Sequence, residues 1–236
     1  MPGDGFLGVA GVVPRTPLIV GAGGNGPQGR WSPVGYGPGR SAHPGSSGPQ
    51  RANVGYGPSV PSATTRQVTD RSTGPEGMAS ATFDPTRTYR YRLTRTWDPD
   101  GPRVNFLMLN PSTADAFELD PTVRRCVGFA QTWGFGSLEV TNIFAFRATD
   151  PMVLIAQPEP VGADNDRAIL DAARMADRLV AAWGVRGGHR GRDDEVVALL
   201  TDIAARPVAL GVTKQGHPAH PLYIAGDTVP QAWVRS

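Results

Sequence analysis

From residue 78 onward, apolar and polar residues follow patterns that are typical in turn of strands and of helices. The segment TYRYRLTRTW, residues 88–97, alternates polar and apolar positions and predicts an edge or outer strand. RVNFLMLN, residues 103–110, is an almost continuous apolar run, which favours a strand buried on both faces. Four further segments predict strands: SLEVTNIFAF (137–146), RLVAAWG (178–184), PVALGV (207–212) and HPLYIA (220–225).

Three segments between these strands predict helices. DPTVRRCVGFAQTW, residues 120–133, begins with Asp120 as an N-cap and Pro121 at the first helical position. GADNDRAILDAARMA (162–176) and RDDEVVALLTDIAA (192–205) predict the other two. The order β-β-α-β-α-β-α-β, followed by the last short strand, predicts an α/β fold with three layers, α/β/α, around a mostly parallel central sheet.

Residues 1–77 differ in composition from the rest of the chain. They are rich in Gly, Pro and Ser, and their apolar residues are too scattered to bury one face, so we expect a disordered tail before a single α/β domain at 78–236. A second interpretation is that the natural product starts at Met78 and the tail is upstream reading-frame noise. A signal peptide is a weaker alternative, because the first residues lack a basic region and Gly and Pro break the apolar stretch.

Charge and cysteine content narrow the classes of function. The tail carries six arginines and three acidic residues, so the net charge of +2 leaves −1 for residues 78–236. Nucleic-acid contact would therefore need local arginine clusters. The single cysteine, Cys126, excludes an internal disulfide and a multi-cysteine zinc site, and a cytoplasmic location is the default expectation. No apolar run approaches the roughly 20 residues that span a bilayer, so no membrane partner is expected.

Polar and glycine residues follow several of the predicted central strands. Asn110-Pro111-Ser112 follows the strand at 104–109, Asn142 ends the next, and Trp183-Gly184 ends the third. The last of these strands leads into a loop that contains His217 and His220. Ligand sites in open parallel sheets lie at the carboxyl ends of the strands, so these residues predict a pocket at that edge. Each alone is also an ordinary turn residue.

The side chains at this edge favour an uncharged planar ligand. Two asparagines and a histidine present donors and acceptors in fixed geometry, which suits the edge of a nucleobase and requires no metal or cofactor. Four aromatic residues are candidates for a stacking surface, although such residues are usually core: Trp133, Phe135, Phe144 and Trp183.

Several charged residues near the same edge have a candidate role. Arg124, Arg125 and Arg147 could hold a phosphate, although exposed arginines are usually solvated. Asp115 and Asp120 are candidate carboxylates for activating water, and Asp120 is also explained as an N-cap.

The motifs MLNPSTAD, DPTVRRC, VTNIFAFRATDP, RLVAAWG and GHPAHPLYI resemble a bacterial family known as domain of unknown function 1643. The resemblance covers about residues 87–233. It implies no settled activity.

The order of these motifs is also similar, more distantly, to the uracil-DNA glycosylase superfamily, and this resemblance implies a fold like that of the superfamily, with a mostly parallel central sheet. That resemblance implies that Asn110 orients water, Asn142 reads the base edge and His220 stabilises the departing base, with His217 as a rival for the last role. Met108 and Ser112 depart from the superfamily pattern, and Asn110 cannot act as a general base.

The sequence thus predicts a protein that handles a nucleobase or nucleotide, with nucleic acid or a nucleotide as partner. Hydrolysis of an N-glycosidic bond is the activity that the resemblance to uracil-DNA glycosylases implies. Two alternatives stay open. One is a non-catalytic base-binding or nucleic-acid-binding module. The other is a different enzyme that acts on a free nucleotide or small metabolite, which the near-neutral domain charge favours over an enzyme of duplex DNA. No protein partner is inferred.

Overall fold

The computed structural model describes residues 66–235, which form one eight-stranded sheet with four α-helices. The strands are β1 (Val68–Gly74), β2 (Gly77–Phe83), β3 (Arg90–Thr96), β4 (Arg103–Met108), β5 (Ser137–Asn142), β6 (Arg178–Ala181), β7 (Val208–Ala209) and β8 (Gln231–Ala232). The helices are α1 (Pro121–Thr132), α2 (Pro151–Ala156), α3 (Asn165–Met175) and α4 (Arg192–Asp202). In the sheet the strands lie in the order β1-β2-β3-β5-β4-β6-β7-β8.

The sheet is mixed, and the prediction of a mostly parallel sheet is wrong. β4 pairs in parallel with β5 and β6, and β6 pairs in parallel with β7. The other four pairings, β1 with β2, β2 with β3, β3 with β5 and β7 with β8, are antiparallel. β1, β2 and β3 follow one another through short turns, which join antiparallel strands, whereas parallel strands need a longer crossover. The likeness to uracil-DNA glycosylases implied the same mostly parallel sheet, and that expectation is wrong for the same reason.

Several predicted elements form with different bounds or positions. β3 lies inside the sheet between β2 and β5, so it is not an edge strand. HPLYIA does not form a strand, because Pro221–Tyr223 makes a 3-10 turn. β1 lies in the segment that we assigned to the tail. Residues 1–65, most of that tail, lie outside the described residues.

The start of α1 follows the capping signal in the sequence. Asp120 is the N-cap, and its Oδ1 accepts a hydrogen bond from the Val123 N–H at 2.8 Å. Pro121 occupies the first helical position, where the absence of an N–H has no consequence. The predicted capping residue therefore fixes where the chain leaves the loop after β4.

Helices pack on both faces of the sheet. Phe106 and Met108 of β4 share one apolar core with α1, whereas Leu107 shares a second core with Ile169 of α3 and Val196 of α4. Successive strand residues point to opposite faces, so β4 is buried on both sides as predicted. Within residues 66–235, no helix is both long and apolar enough to cross a membrane.

The order of the parallel strands creates a crevice beside β4. The chain passes from β4 through α1 to β5 on one side, and then crosses to β6 on the other side of β4. The loops that follow β4 and β6 therefore lead to helices on opposite faces of the sheet. Such a reversal of strand order opens a crevice at the carboxyl ends of the two strands.

Candidate functional site

A pocket of about 480 Å³ lies at this crevice. It brings together six residues that the sequence predicted as candidates for the site: Asn110, Ser112, Asp120, Trp183, Gly184 and His220. Its other lining residues with polar side chains are Arg90, Thr122, Thr149, Arg186, Thr213 and Tyr223. A cavity of this size suits one small-molecule ligand.

The amide of Asn110 is held in one orientation by two backbone carbonyls. Its Nδ2 donates to the carbonyl oxygen of Pro111 at 3.0 Å and to that of Ala148 at 2.7 Å. Pro111 itself is buried and contributes its carbonyl rather than a surface of the pocket. Because both amide hydrogens are used, Asn110 offers its Oδ1 as a hydrogen-bond acceptor.

The imidazole of His220 is arranged as a neutral donor. Its Nδ1 accepts a hydrogen bond from the Leu222 N–H at 3.4 Å, which leaves the ring proton on Nε2. Burial lowers the pKa of His220 below the ordinary value, and the negative charge of Asp120 partly opposes this change. The ring is therefore uncharged at neutral pH, and Nε2–H is the donor that remains for a ligand.

Arg90 is a pocket residue that the sequence analysis missed. It begins β3, is 1% exposed, and donates from Nη1 to the carbonyl oxygen of Ala114. Burial lowers the pKa of Arg90 to about 10, so the guanidinium is still charged at neutral pH. The alternating pattern TYRYRL did not predict that Arg90 is buried at a pocket, since an arginine in an alternating strand normally faces solvent.

Two aromatic side chains line the pocket in different ways. Trp183 is 1% exposed and packs edge-to-face against Trp233, with ring centroids 5.2 Å apart. Tyr223, which the sequence analysis did not propose, is 85% exposed, and its ring centroid lies 5.8 Å from that of His220. The other three aromatic candidates, Trp133, Phe135 and Phe144, belong to the two cores and do not line the pocket.

A family model described as "Protein of unknown function (DUF1643)" matches residues 90–222, more than half of the chain. The chain belongs to the DUF1643 family. The matched segment contains every residue that lines the pocket except Tyr223. No curated protein and no solved structure gives a significant match to the chain.

Asn142 of this DUF1643 domain lies behind the pocket wall. It ends β5 beside Met108, which lines the pocket, but Asn142 itself is 1% exposed and does not line it. Its Oδ1 and Nδ2 have no hydrogen-bond partner among the described residues. Buried amides are normally hydrogen-bonded, so Asn142 has an unmet capacity for two kinds of hydrogen bond next to the pocket.

His217 belongs to a separate polar group. Its Nδ1 lies 3.0 Å from Oδ2 of Asp193, a fully buried residue in the first turn of α4. Nη1 of Arg235 also lies 3.0 Å from this Oδ2. We call these three residues the Asp193 cluster. His217 thus has a charged protein partner and does not line the pocket.

The three arginines proposed for phosphate binding are not gathered at the pocket. Arg124 is exposed on α1, and Arg125 donates to the carbonyl oxygen of Ile224 while its guanidinium lies 5.0 Å from the Phe129 ring. Arg147 lies 5.2 Å from the Phe83 ring. None of the three lines the pocket in the DUF1643 domain.

Of the two candidate carboxylates, Asp120 lines the pocket and Asp115 does not. Oδ1 of Asp115 instead accepts hydrogen bonds from the backbone N–H groups of Phe117 and Glu118. Over residues 66–235, no group of three or more His, Cys, Asp or Glu side chains is arranged to hold a metal ion.

Proposed function

We propose that the pocket binds a nucleobase or a nucleotide. The observation that carries this proposal is the presence of a fixed acceptor and a neutral donor in one cavity, Oδ1 of Asn110 and Nε2–H of His220. A heterocyclic base offers complementary N–H and carbonyl groups along one edge. Tyr223, which is 85% exposed, adds an aromatic ring on which a base can stack, whereas Trp183, 1% exposed, only forms part of the pocket wall.

We further propose that the bound ligand is hydrolysed at its N-glycosidic bond. This step is suggested by the likeness of the motif order to uracil-DNA glycosylases. Oδ1 of Asn110 accepts a hydrogen bond from a water molecule, whose oxygen forms a bond to the sugar C1′ as the C1′–N bond breaks. The bonding electron pair stays on the base, where the Nε2–H of His220 stabilises the negative charge. Asp120 accepts the proton that the water loses.

Asn142 fits this mechanism under one condition. Its side chain can read a base edge if the ligand displaces Met108, the residue paired with Asn142 across β4 and β5. The unpartnered Oδ1 and Nδ2 of Asn142 would then both be satisfied by the base.

A non-catalytic base-binding module is the second candidate. It is favoured by the amide of Asn110, which can orient water but cannot remove its proton. In such a module the same pocket binds the base, and no bond is broken.

The test is a base-release assay with the full chain. Its substrates are single-stranded and double-stranded oligonucleotides that contain uracil or hypoxanthine, and the matching nucleosides and nucleoside monophosphates. We expect release to fall by about 100-fold or more in Asn110→Ala and His220→Ala, as for the loss of one stabilising hydrogen bond in a transition state. Lys214→Ala is the control, because Lys214 is exposed in the same loop as His220, and we expect this variant to keep full activity.

Absence of release from every substrate by a folded protein would contradict the hydrolase proposal. Base or nucleotide binding that persists in that case, and weakens in Asn110→Ala and His220→Ala, would support the binding module. Absence of both release and binding would contradict the nucleobase proposal as a whole.

A further inference from the structure

Arg90 is a buried charge without a charged partner. It is 1% exposed, and no carboxylate oxygen of the described residues lies within 4.0 Å of its guanidinium. Its Nη1 has one neutral acceptor, the Ala114 carbonyl, and its buried Nε has no hydrogen-bond partner in residues 66–235. An isolated buried charge is strongly unfavourable unless something pairs with it.

The pocket is where a negatively charged partner of Arg90 can bind. Arg90 lines the pocket, and Arg186 adds a second positive charge to its lining. Asp120, the carboxylate among the described lining residues, uses one oxygen to cap α1 and raises the pKa of Arg90 from a distance. The lining therefore carries two cationic groups against one anionic group, so a negatively charged ligand group is favoured.

We propose that Arg90 binds the phosphate of a free nucleoside monophosphate in this pocket. The proposal rests on the nucleotide function proposed above and names the form of the ligand. A guanidinium presents N–H groups in a fixed fork that matches a phosphate, and a buried guanidinium makes the stronger charge-assisted bond.

The burial of Arg90 also argues against a polynucleotide as the ligand. An internal phosphodiester carries a sugar on each side, and both must continue out of the site. Contacts to such phosphates are normally made by exposed arginines on a surface track. Arg124 and Arg125 lie outside the pocket, and Arg90 is enclosed, so a terminal phosphate fits the lining better than a chain does.

The experiment measures binding to the full chain by titration calorimetry. The ligands are the common nucleoside 5′-monophosphates, their nucleosides, inorganic phosphate, and a single-stranded oligonucleotide of the best-bound base. The variants are Arg90→Met, which removes the charge at similar volume, and Arg90→Lys, which keeps the charge without the fork. Arg174→Met, a change of an exposed arginine on α3, is the matched control.

We expect at least one monophosphate to bind about 10-fold or more tightly than its nucleoside, the range expected for a charge-assisted hydrogen bond. This advantage disappears in Arg90→Met, is reduced in Arg90→Lys and is unchanged in Arg174→Met. Tighter binding of the oligonucleotide than of the monophosphate would overturn the proposal. An advantage that survives in Arg90→Met would also overturn it.

The failure of this inference can be told apart from the failure of the proposed function. A nucleoside that binds as tightly as its monophosphate contradicts the role of Arg90 and leaves the nucleobase function standing. Inorganic phosphate that binds through Arg90 as tightly as every nucleotide supports the anion site and contradicts the nucleobase function. If Arg90→Met does not fold, Arg90→Lys still decides the result, because loss of the fork must lower the phosphate advantage.

Discussion

Two buried arginines in different regions of the molecule have opposite surroundings. Arg192, 3% exposed at the start of α4, pairs with Asp166 and Glu195 and donates from Nε to the Ile143 carbonyl at 2.8 Å. Arg90, 1% exposed in the pocket, has one neutral acceptor and no carboxylate within 4.0 Å in the described part of the chain. The contacts of Arg192 explain its burial, whereas those of Arg90 do not.

Two histidines three residues apart show the same difference. His217 contacts Asp193, which Arg235 also contacts, and His217 does not line the pocket. His220 is held by one backbone N–H and keeps a free donor toward the pocket. Polar groups that find their partners within the protein hold the fold together. Polar groups left incompletely paired beside a cavity are candidates for binding a ligand.

The largest expected effect is the loss of the Asp193 cluster. Asp193→Ala leaves His217 and Arg235 without the carboxylate they share, and we expect the free energy of unfolding to fall by about 3 kcal/mol. Urea unfolding, followed by tryptophan fluorescence, measures this change. Asp194→Ala is the control, because Asp194 contacts Arg235 at the surface with its side chain 65% exposed, and its removal changes stability by about 0.5 kcal/mol or less. Equal effects of the two changes would show that the cluster does not stabilise the fold.

The two buried arginines should respond differently to substitution. Arg192→Met removes the donor to the Ile143 carbonyl and the pairing with Asp166, so we expect a loss of about 2 kcal/mol. Arg90→Met removes a charge that has no carboxylate partner, so we expect a change of less than about 1 kcal/mol despite the loss of the bond to Ala114. The same unfolding experiment measures both variants. If Arg90→Met were the more destabilising change, Arg90 would have a structural role and the comparison would fail.

The smallest expected effect is the dependence of stability on His220 and pH. Its folded-state pKa is lowered by burial, so the unfolded chain binds more protons near and below the ordinary value of 6.5. The contribution of His220 to stability is therefore present at neutral pH and is lost as the pH falls below 6.5. Wild-type protein should lose more stability than His220→Gln as the pH is lowered from about 8 to about 5.

An NMR titration of the His220 ring gives a direct check. The midpoint should lie below that of the same histidine in urea-unfolded protein. A midpoint above the unfolded value would mean that a charged partner stabilises the imidazolium, and His220 would then resemble a member of the Asp193 cluster rather than a neutral pocket donor.

Part of the site could be predicted because it depends on local sequence. One pocket is lined by Asn110, which follows the apolar run of β4, and by Trp183-Gly184, which follow β6. His220, in a later loop, lines the same pocket. The rule that sites lie at the carboxyl ends of parallel strands needs only parallel strands, and the four at the centre of this sheet have the pocket at that edge although the whole sheet is mixed.

Other site residues could not be predicted, because their surroundings come from distant parts of the chain. Arg90 belongs to a strand whose alternating pattern is typical of a solvent-exposed face, but it is buried and donates to the carbonyl of Ala114 in the loop after β4. His217 and His220 look equivalent in the sequence, and Asp193 and Arg235 set them apart. Arg124, Arg125 and Arg147 lie near the right edge along the chain but contact carbonyls and rings elsewhere.

By itself, the sequence determined three of the four helices, α1, α3 and α4, together with the N-cap at Asp120 and the buried central strand β4, since these follow from short-range periodicity and capping chemistry. The tertiary structure decided the direction of strands β1, β2 and β3, the interior position of β3 and the partners of each buried charge. Strand pairing and charge pairing join residues far apart in the chain, and no local pattern encodes which distant group arrives beside a given side chain.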